Sequence, residues 1–113
     1  MKFVLRYRPE VVADLDAARC WYEERSAGLG SDFIVECSEA LARIQQNPEW
    51  VGVDAYGVRS LRIHRFPYVI HYRIEGEMIV VFAIMFGAAI RRLGKGGYNR
   101  VGGRIAPPAP HTT

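Results

Sequence analysis

The stretch Phe66-Pro67-Tyr68-Val69-Ile70-His71-Tyr72-Arg73-Ile74-Glu75-Gly76-Glu77-Met78-Ile79-Val80-Val81-Phe82-Ala83-Ile84-Met85-Phe86 decides the fold. From Phe66 to Ile74 the residues alternate. Phe66, Tyr68, Ile70, Tyr72 and Ile74 fall on one side, with Val69, His71 and Arg73 on the other, the period of two that a half-buried strand requires. Glu75-Gly76-Glu77 is a tight turn, and strands joined by so short a turn pair antiparallel. Met78 to Phe86 is almost wholly apolar, which predicts a strand buried on both faces near the centre of the sheet.

Working upstream, Val58 to Arg65 alternates again and predicts a third antiparallel strand. Before it, Asn47-Pro48 ends a helix, because the residue preceding proline avoids the helical region. That helix begins after Gly30 with Ser31 or Asp32 as its cap, and its apolar stripe is Phe33, Cys37, Ala40, Leu41 and Ile44. An earlier helix starts at Pro9, with Glu10 in its first turn to complement the dipole. Val11, Leu15, Ala18 and Tyr22 make its stripe, and Gly28 and Gly30 stop it. Two helices joined so closely fold back as a hairpin. Lys2 to Arg8 alternates, which predicts an edge-type first strand with Phe3, Leu5 and Tyr7 on one face. The order is strand, helix, helix, strand, strand, strand. The class is α+β: an N-terminal strand and an α-helical hairpin on a small, curved, antiparallel sheet of about four strands. Past Gly87 the pattern fades into glycines and Pro107-Pro108-Ala109-Pro110. Residues 1–100 are therefore read as a single domain and 101–113 as a flexible tail.

The chain of 113 residues, half of them hydrophobic, suits one core without staples. No apolar run reaches the roughly 18 residues of a membrane span, and the first residues do not read as a signal peptide. Cys20 and Cys37 are too few for a disulfide framework or a zinc site; both are expected as small buried hydrophobes of a reduced, cytoplasmic protein. Neither a metal nor a cofactor is expected. The net charge of +3 hides an asymmetry. Residues 1–57 hold 6 basic and 10 acidic side chains, a net of −4, and residues 58–113 hold 9 and 2, a net of +7. Thirteen of the fifteen basic residues are arginine, whose planar donor fork suits phosphates and carboxylates. An anionic partner, nucleic acid or an acidic protein segment, is the implication.

Tyr7-Arg8-Pro9-Glu10, Asp14-Leu15, Trp21-Tyr22-Glu23, Phe33, Asn47-Pro48, Gly57-Val58-Arg59 and Arg65-Phe66-Pro67-Tyr68-Val69-Ile70-His71-Tyr72, in that order and spacing, resemble the RelE/ParE superfamily of type II toxin–antitoxin toxins over residues 2 to 86. The Phe-Pro-Tyr segment with Tyr72 is more similar to the ParE branch. That resemblance implies a plasmid-stabilisation toxin that inhibits DNA gyrase by binding and is neutralised by a cognate antitoxin. A homodimer or a toxin–antitoxin heterotetramer goes with that reading. The RelE branch implies instead an endoribonuclease acting on mRNA in the ribosome. After Phe86 the resemblance loosens. Met85 to Ile90 holds no histidine where ParE-like chains carry one, Arg91-Arg92 come a few residues late, and Tyr98-Asn99-Arg100 stand where a closing aromatic and arginine are expected. A homologue that only binds antitoxin is the third reading.

The candidate binding residues are Arg59, Arg62, Arg65, Arg91, Arg92 and Trp50, the last either packed or an exposed protein contact. By strand parity, Arg59 and Arg65 share one face, and Arg62 shares the other with His64. If the chain were catalytic, Arg62, His64, Arg91 and Tyr98 are the candidates. Arginine stabilises a phosphorane-like transition state but stays protonated, so a histidine or tyrosine must move the proton. His71 is expected as a strand histidine bonded to a neighbour, and Trp21 and Tyr22 as helix packing. Gly94-Lys95-Gly96-Gly97 lacks the pattern of a phosphate loop.

Overall fold

The computed structural model describes residues 2–86. The expectations placed beyond Phe86 lie outside the described residues: Arg91, Arg92, Tyr98, the domain limit at residue 100 and the tail. The element order is β1 (Val4–Tyr7), α1 (Pro9–Arg25), α2 (Leu29–Gln46), β2 (Arg59–Arg62), β3 (Tyr68–Glu75) and β4 (Met78–Phe86). The strands form one sheet in the order β1-β4-β3-β2.

The predicted edge strand is at an edge, and the predicted central strand is central. β2 pairs antiparallel with β3, and β3 with β4. β1, however, joins β4 in parallel, with Val4 opposite Met78 and Tyr7 opposite Val81. The sheet is therefore mixed. The rule that makes neighbours antiparallel comes from short turns, and β1 reaches β4 only across both helices and two strands, a crossover that leaves the parallel pairing open. The register also shifts, His71 facing Ala83 while Tyr72 faces Val81. Phe82 is thus an extra residue on β4, a bulge that exchanges the strand's faces at its midpoint. This is why no single alternation runs through the strand, in which Ala83, Ile84 and Met85 are all buried.

Both helices contribute to one core on one face of the sheet. Val11, Ala18 and Tyr22 of α1 and Phe33, Cys37, Ala40, Leu41 and Ile44 of α2 pack with Ile70, Tyr72, Ile79, Val81 and Ile84. Tyr22, Phe33, Phe66 and Tyr68 meet at ring-centroid distances of 5.0–5.3 Å for the pairs Tyr22–Phe33, Tyr22–Phe66, Phe33–Phe66 and Phe33–Tyr68. Three of those four pairs are edge-on, the arrangement that suits the ring quadrupole. Burial pushes the Tyr22 hydroxyl up to about 12 and the Cys37 thiol likewise to about 12. Cys20, by contrast, is exposed; it follows Arg19 on the side of α1 away from the Val11–Tyr22 stripe.

The helix start differs from expectation. α2 begins at Leu29, two residues before the expected caps, and neither Ser31 nor Asp32 caps it. Its N-cap is Gly28, at φ 87° with no side-chain bond of its own. The cap comes from the preceding helix. Glu23 accepts from the Gly28 N–H at 2.8 Å and the Gly30 N–H at 2.9 Å, satisfying donors the helix leaves orphaned. These amide bonds hold its carboxyl below the usual carboxylate range. Gly30 is buried where the helices cross: a Cβ there would lie 2.5 Å from the Arg19 carbonyl oxygen.

No helix among the described residues is long and apolar enough to cross a membrane.

Candidate functional site

The charge asymmetry of the sequence becomes an asymmetry between layers. The helices α1 and α2 carry eight acidic and three basic side chains; the four strands carry four arginines and one glutamate. Three of those arginines share a face. Arg6 alternates with the core-packed Leu5, Arg62 follows Leu61, and Arg73 lies between Tyr72 and Ile74, so all three point away from the helices. All are exposed. Val4 and Met78, paired across β1 and β4 and 49% and 36% exposed, add apolar surface to the same face. The Arg73 guanidinium lies 5.5 Å from the centroid of the Phe82 ring, which the bulge presents there. None of the three has an ion pair among the described residues. A face of guanidinium forks without ion pairs among the described residues, set around apolar positions, can hold anionic, partly apolar surface.

Of the residues singled out in the sequence, only Arg62 joins this set. Arg59 sits on the opposite face, as parity predicts, and is spent internally: its guanidinium donates to the Val51 carbonyl and, at 3.3 Å, to that of Glu49. It anchors the connection from α2 to β2. Arg65 and His64 are not on a strand at all. β2 ends at Arg62, and Ile63 and Phe66 plunge into the core, 2% and 1% exposed. The turn between them swings His64 and Arg65 toward α2. There Arg65, at φ 78°, pairs with Asp32 at 3.1 Å, and His64 Nδ1 lies 3.8 Å from Glu36. His64, Glu36, Glu39, Ala42 and Arg43 line a shallow pocket on the helix side. The expectation that His64 shares a face with Arg62 is therefore overturned, because two apolar residues of the turn, rather than strand alternation, set the local path.

His71 is buried and accepts or donates a 2.7 Å bond with Ser60 Oγ through Nδ1. Burial pushes it down to about 4, only partly offset by the charge of Asp54, so the ring is neutral at pH 7. No cluster of three metal-ligating side chains occurs among the described residues. Trp50 is 58% exposed. Trp21 is half-buried, edge-on to Tyr22 with Arg25 stacked 3.9 Å over it.

Sequence reasoning missed Arg6 and Arg73 as members of the site. The signal was available: each occupies the polar parity of its strand, as Arg62 does. What was missing was the register that brings β1, β3 and β2 into one sheet.

A comparison by sequence with curated proteins returns no match. Among solved structures, the fold is similar to a chain of the chromosomal ParDE toxin–antitoxin system from P. aeruginosa, with a TM-score of 0.65 and 24% identity over 75% of this chain and 96% of that one. Residues 5–89 match the model of a family described as the ParE toxin of the type II toxin–antitoxin system parDE. That match takes in the helical hairpin, β2 to β4, β1 from Leu5 onward and the three arginines of the outer face, and the chain belongs to the ParE family of type II toxins.

Proposed function

We propose that this toxin inhibits DNA gyrase by binding it, performs no chemistry of its own, and is neutralised by a cognate antitoxin within a cytoplasmic plasmid-stabilisation system. The observation that carries the reading is that, among the described residues, no exposed histidine shares the face of Arg62. Ribonucleolytic chemistry needs a base within reach of the ribose hydroxyl and a cation at the phosphate. Among the described residues, His64 faces Glu36 on the helix side and His71, 3% exposed, is out of a substrate's reach, which supports reading Arg6, Arg62 and Arg73 as a binding surface. Arg59, Arg65 and Trp50, named for binding from sequence, divide on this reading: Arg59 holds a loop, Arg65 is paired to α2, and Trp50 is available. The antitoxin, carrying an acidic amphipathic segment, covers the arginine face by charge complementarity, in a heterotetramer or around a toxin dimer.

The test is a supercoiling assay with purified full-length chain and gyrase, alongside translating ribosomes programmed with a defined mRNA. Inhibited supercoiling with intact mRNA supports the reading. Codon-dependent cuts with unaffected supercoiling replace it with the RelE-type reading. Unaffected supercoiling together with intact mRNA, in a chain that still binds antitoxin, identifies a homologue that only binds antitoxin.

A further inference from the structure

The connection between α2 and β2, residues 47–58, is held in shape by side chains dedicated to it. The Tyr72 hydroxyl donates to the buried Pro48 carbonyl at 2.7 Å. Arg59 grips the carbonyls of Glu49 and Val51, the two residues flanking Trp50. Asp54 Oδ1 accepts from the amides of Tyr56 at 2.7 Å and Val58 at 3.0 Å, and Gly57 takes the positive φ of 79° that closes the turn. Val53 bridges to Arg59 at the sheet edge. This scaffold displays three large apolar side chains, spaced three residues apart, that the core does not use: Trp50 is 58% exposed, Val53 53% and Tyr56 67%.

We infer that this loop is a docking surface for a short apolar polypeptide segment bearing lysine or arginine. Tryptophan and tyrosine are the residues that dominate interface energetics, and a backbone fixed beforehand removes the ordering cost of binding. With aromatic side chains presenting 150–250 Å² each when fully exposed, the three offer roughly 300–400 Å². A stable dimer of folded surfaces needs about 800 Å² per partner, so a second copy of this chain is too large an occupant for the patch, whereas a peptide segment fits it. The charge of the segment follows from the loop, whose charged side chains between Asn47 and Val58 are the two acids Glu49 and Asp54. The surface thus prefers the opposite sign from the arginine face, and one molecule can engage two segments of unlike charge. This inference stands whether or not gyrase is the target.

A phage library of random dodecapeptides, panned in parallel on the immobilised full chain and on the double variant Trp50→Ser, Tyr56→Ser, tests it. The expected result is enrichment on the wild type of apolar, net-basic peptides whose affinity drops about tenfold or more on the variant. Arg59→Lys, which keeps every apolar side chain but loses the two-carbonyl grip, should weaken the same peptides. If the double variant melts early, Tyr56→Ser alone takes its place. Equal recovery on both proteins, or enrichment of net-acidic peptides, overturns the inference. So does a concentration-dependent dimer in sedimentation that the double variant abolishes, because a second copy then owns the surface.

Discussion

Replacing Gly30 with alanine isolates the contact that sets the helical hairpin. At an ordinary helical site the change is favourable by roughly 0.5–1 kcal/mol, because alanine loses less backbone entropy on folding. Here the new Cβ would lie 2.5 Å from the Arg19 carbonyl oxygen, 3.0 Å from Glu23 Oε1 and 3.1 Å from Arg19 Cγ. A carbonyl in the middle of α1 cannot rotate away, so α2 must retreat by about 1 Å to restore van der Waals contact. Overpacking of that kind costs about 1–3 kcal/mol, and the retreat also stretches the Glu23 bonds that cap α2. The net expectation is destabilisation of about 1–2 kcal/mol, or a Tm lower by roughly 5–15 °C for a domain of this size. Urea and thermal unfolding of the full chain measure it. Gly28→Ala is the control: nothing lies within 4 Å of its would-be Cβ, so only its φ of 87° opposes the change, at about 1 kcal/mol. Because the Gly30 methyl and the Glu23 carboxylate crowd one another, Gly30→Ala and Glu23→Gln should be non-additive. An unchanged or raised Tm for Gly30→Ala would refute the close-approach argument.

Three further expectations follow from the geometry. His71 is held down to about 4 by burial, so the unfolded chain takes up its proton first as pH falls below about 6.5; the stability this group contributes is intact above that pH and drains away toward pH 4, a slope that unfolding free energies across this window will show and that His71→Asn should remove. Arg62→Ala with Arg73→Ala should weaken binding of the acidic partner and flatten its salt dependence, measured by calorimetry on either side of the ~0.1 M at which the screening length is about 10 Å; an unaltered salt slope contradicts the role given to the arginine face. Tyr72→Phe leaves the buried Pro48 carbonyl without its donor and should cost about 1–2 kcal/mol in unfolding free energy, with faster hydrogen exchange at Trp50 and Val51.

The fold was legible where periodicity and punctuation agree. Pro9, Pro48 and the Glu75-Gly76-Glu77 turn mark boundaries that the structure keeps, and the stripes of both helices are the residues that face the core. Legibility failed where a tertiary contact overrides the local signal. Ser31 and Asp32 look like caps, but Glu23 reaches over from α1 and does the work. His64 and Arg65 look like a continuation of a strand, yet burying Ile63 and Phe66 together bends the chain into a turn. The site was partly legible for the same reason: parity puts Arg62 and Arg73 on the outer face of two neighbouring strands, while membership of Arg6 depends on a pairing between residues at opposite ends of the described chain.

That pairing also governs when the molecule can come into being. The strand at the heart of the sheet emerges from the ribosome last among the described elements, and the first strand has nowhere to dock until it does. Val4 meets Met78 across some two thirds of the chain, so closure is a late, long-range event of the sort that slows folding. A growing chain therefore passes through a stage in which its helices exist without a floor to lie on, and the guanidinium-bearing surface is assembled only once β4 has joined the sheet.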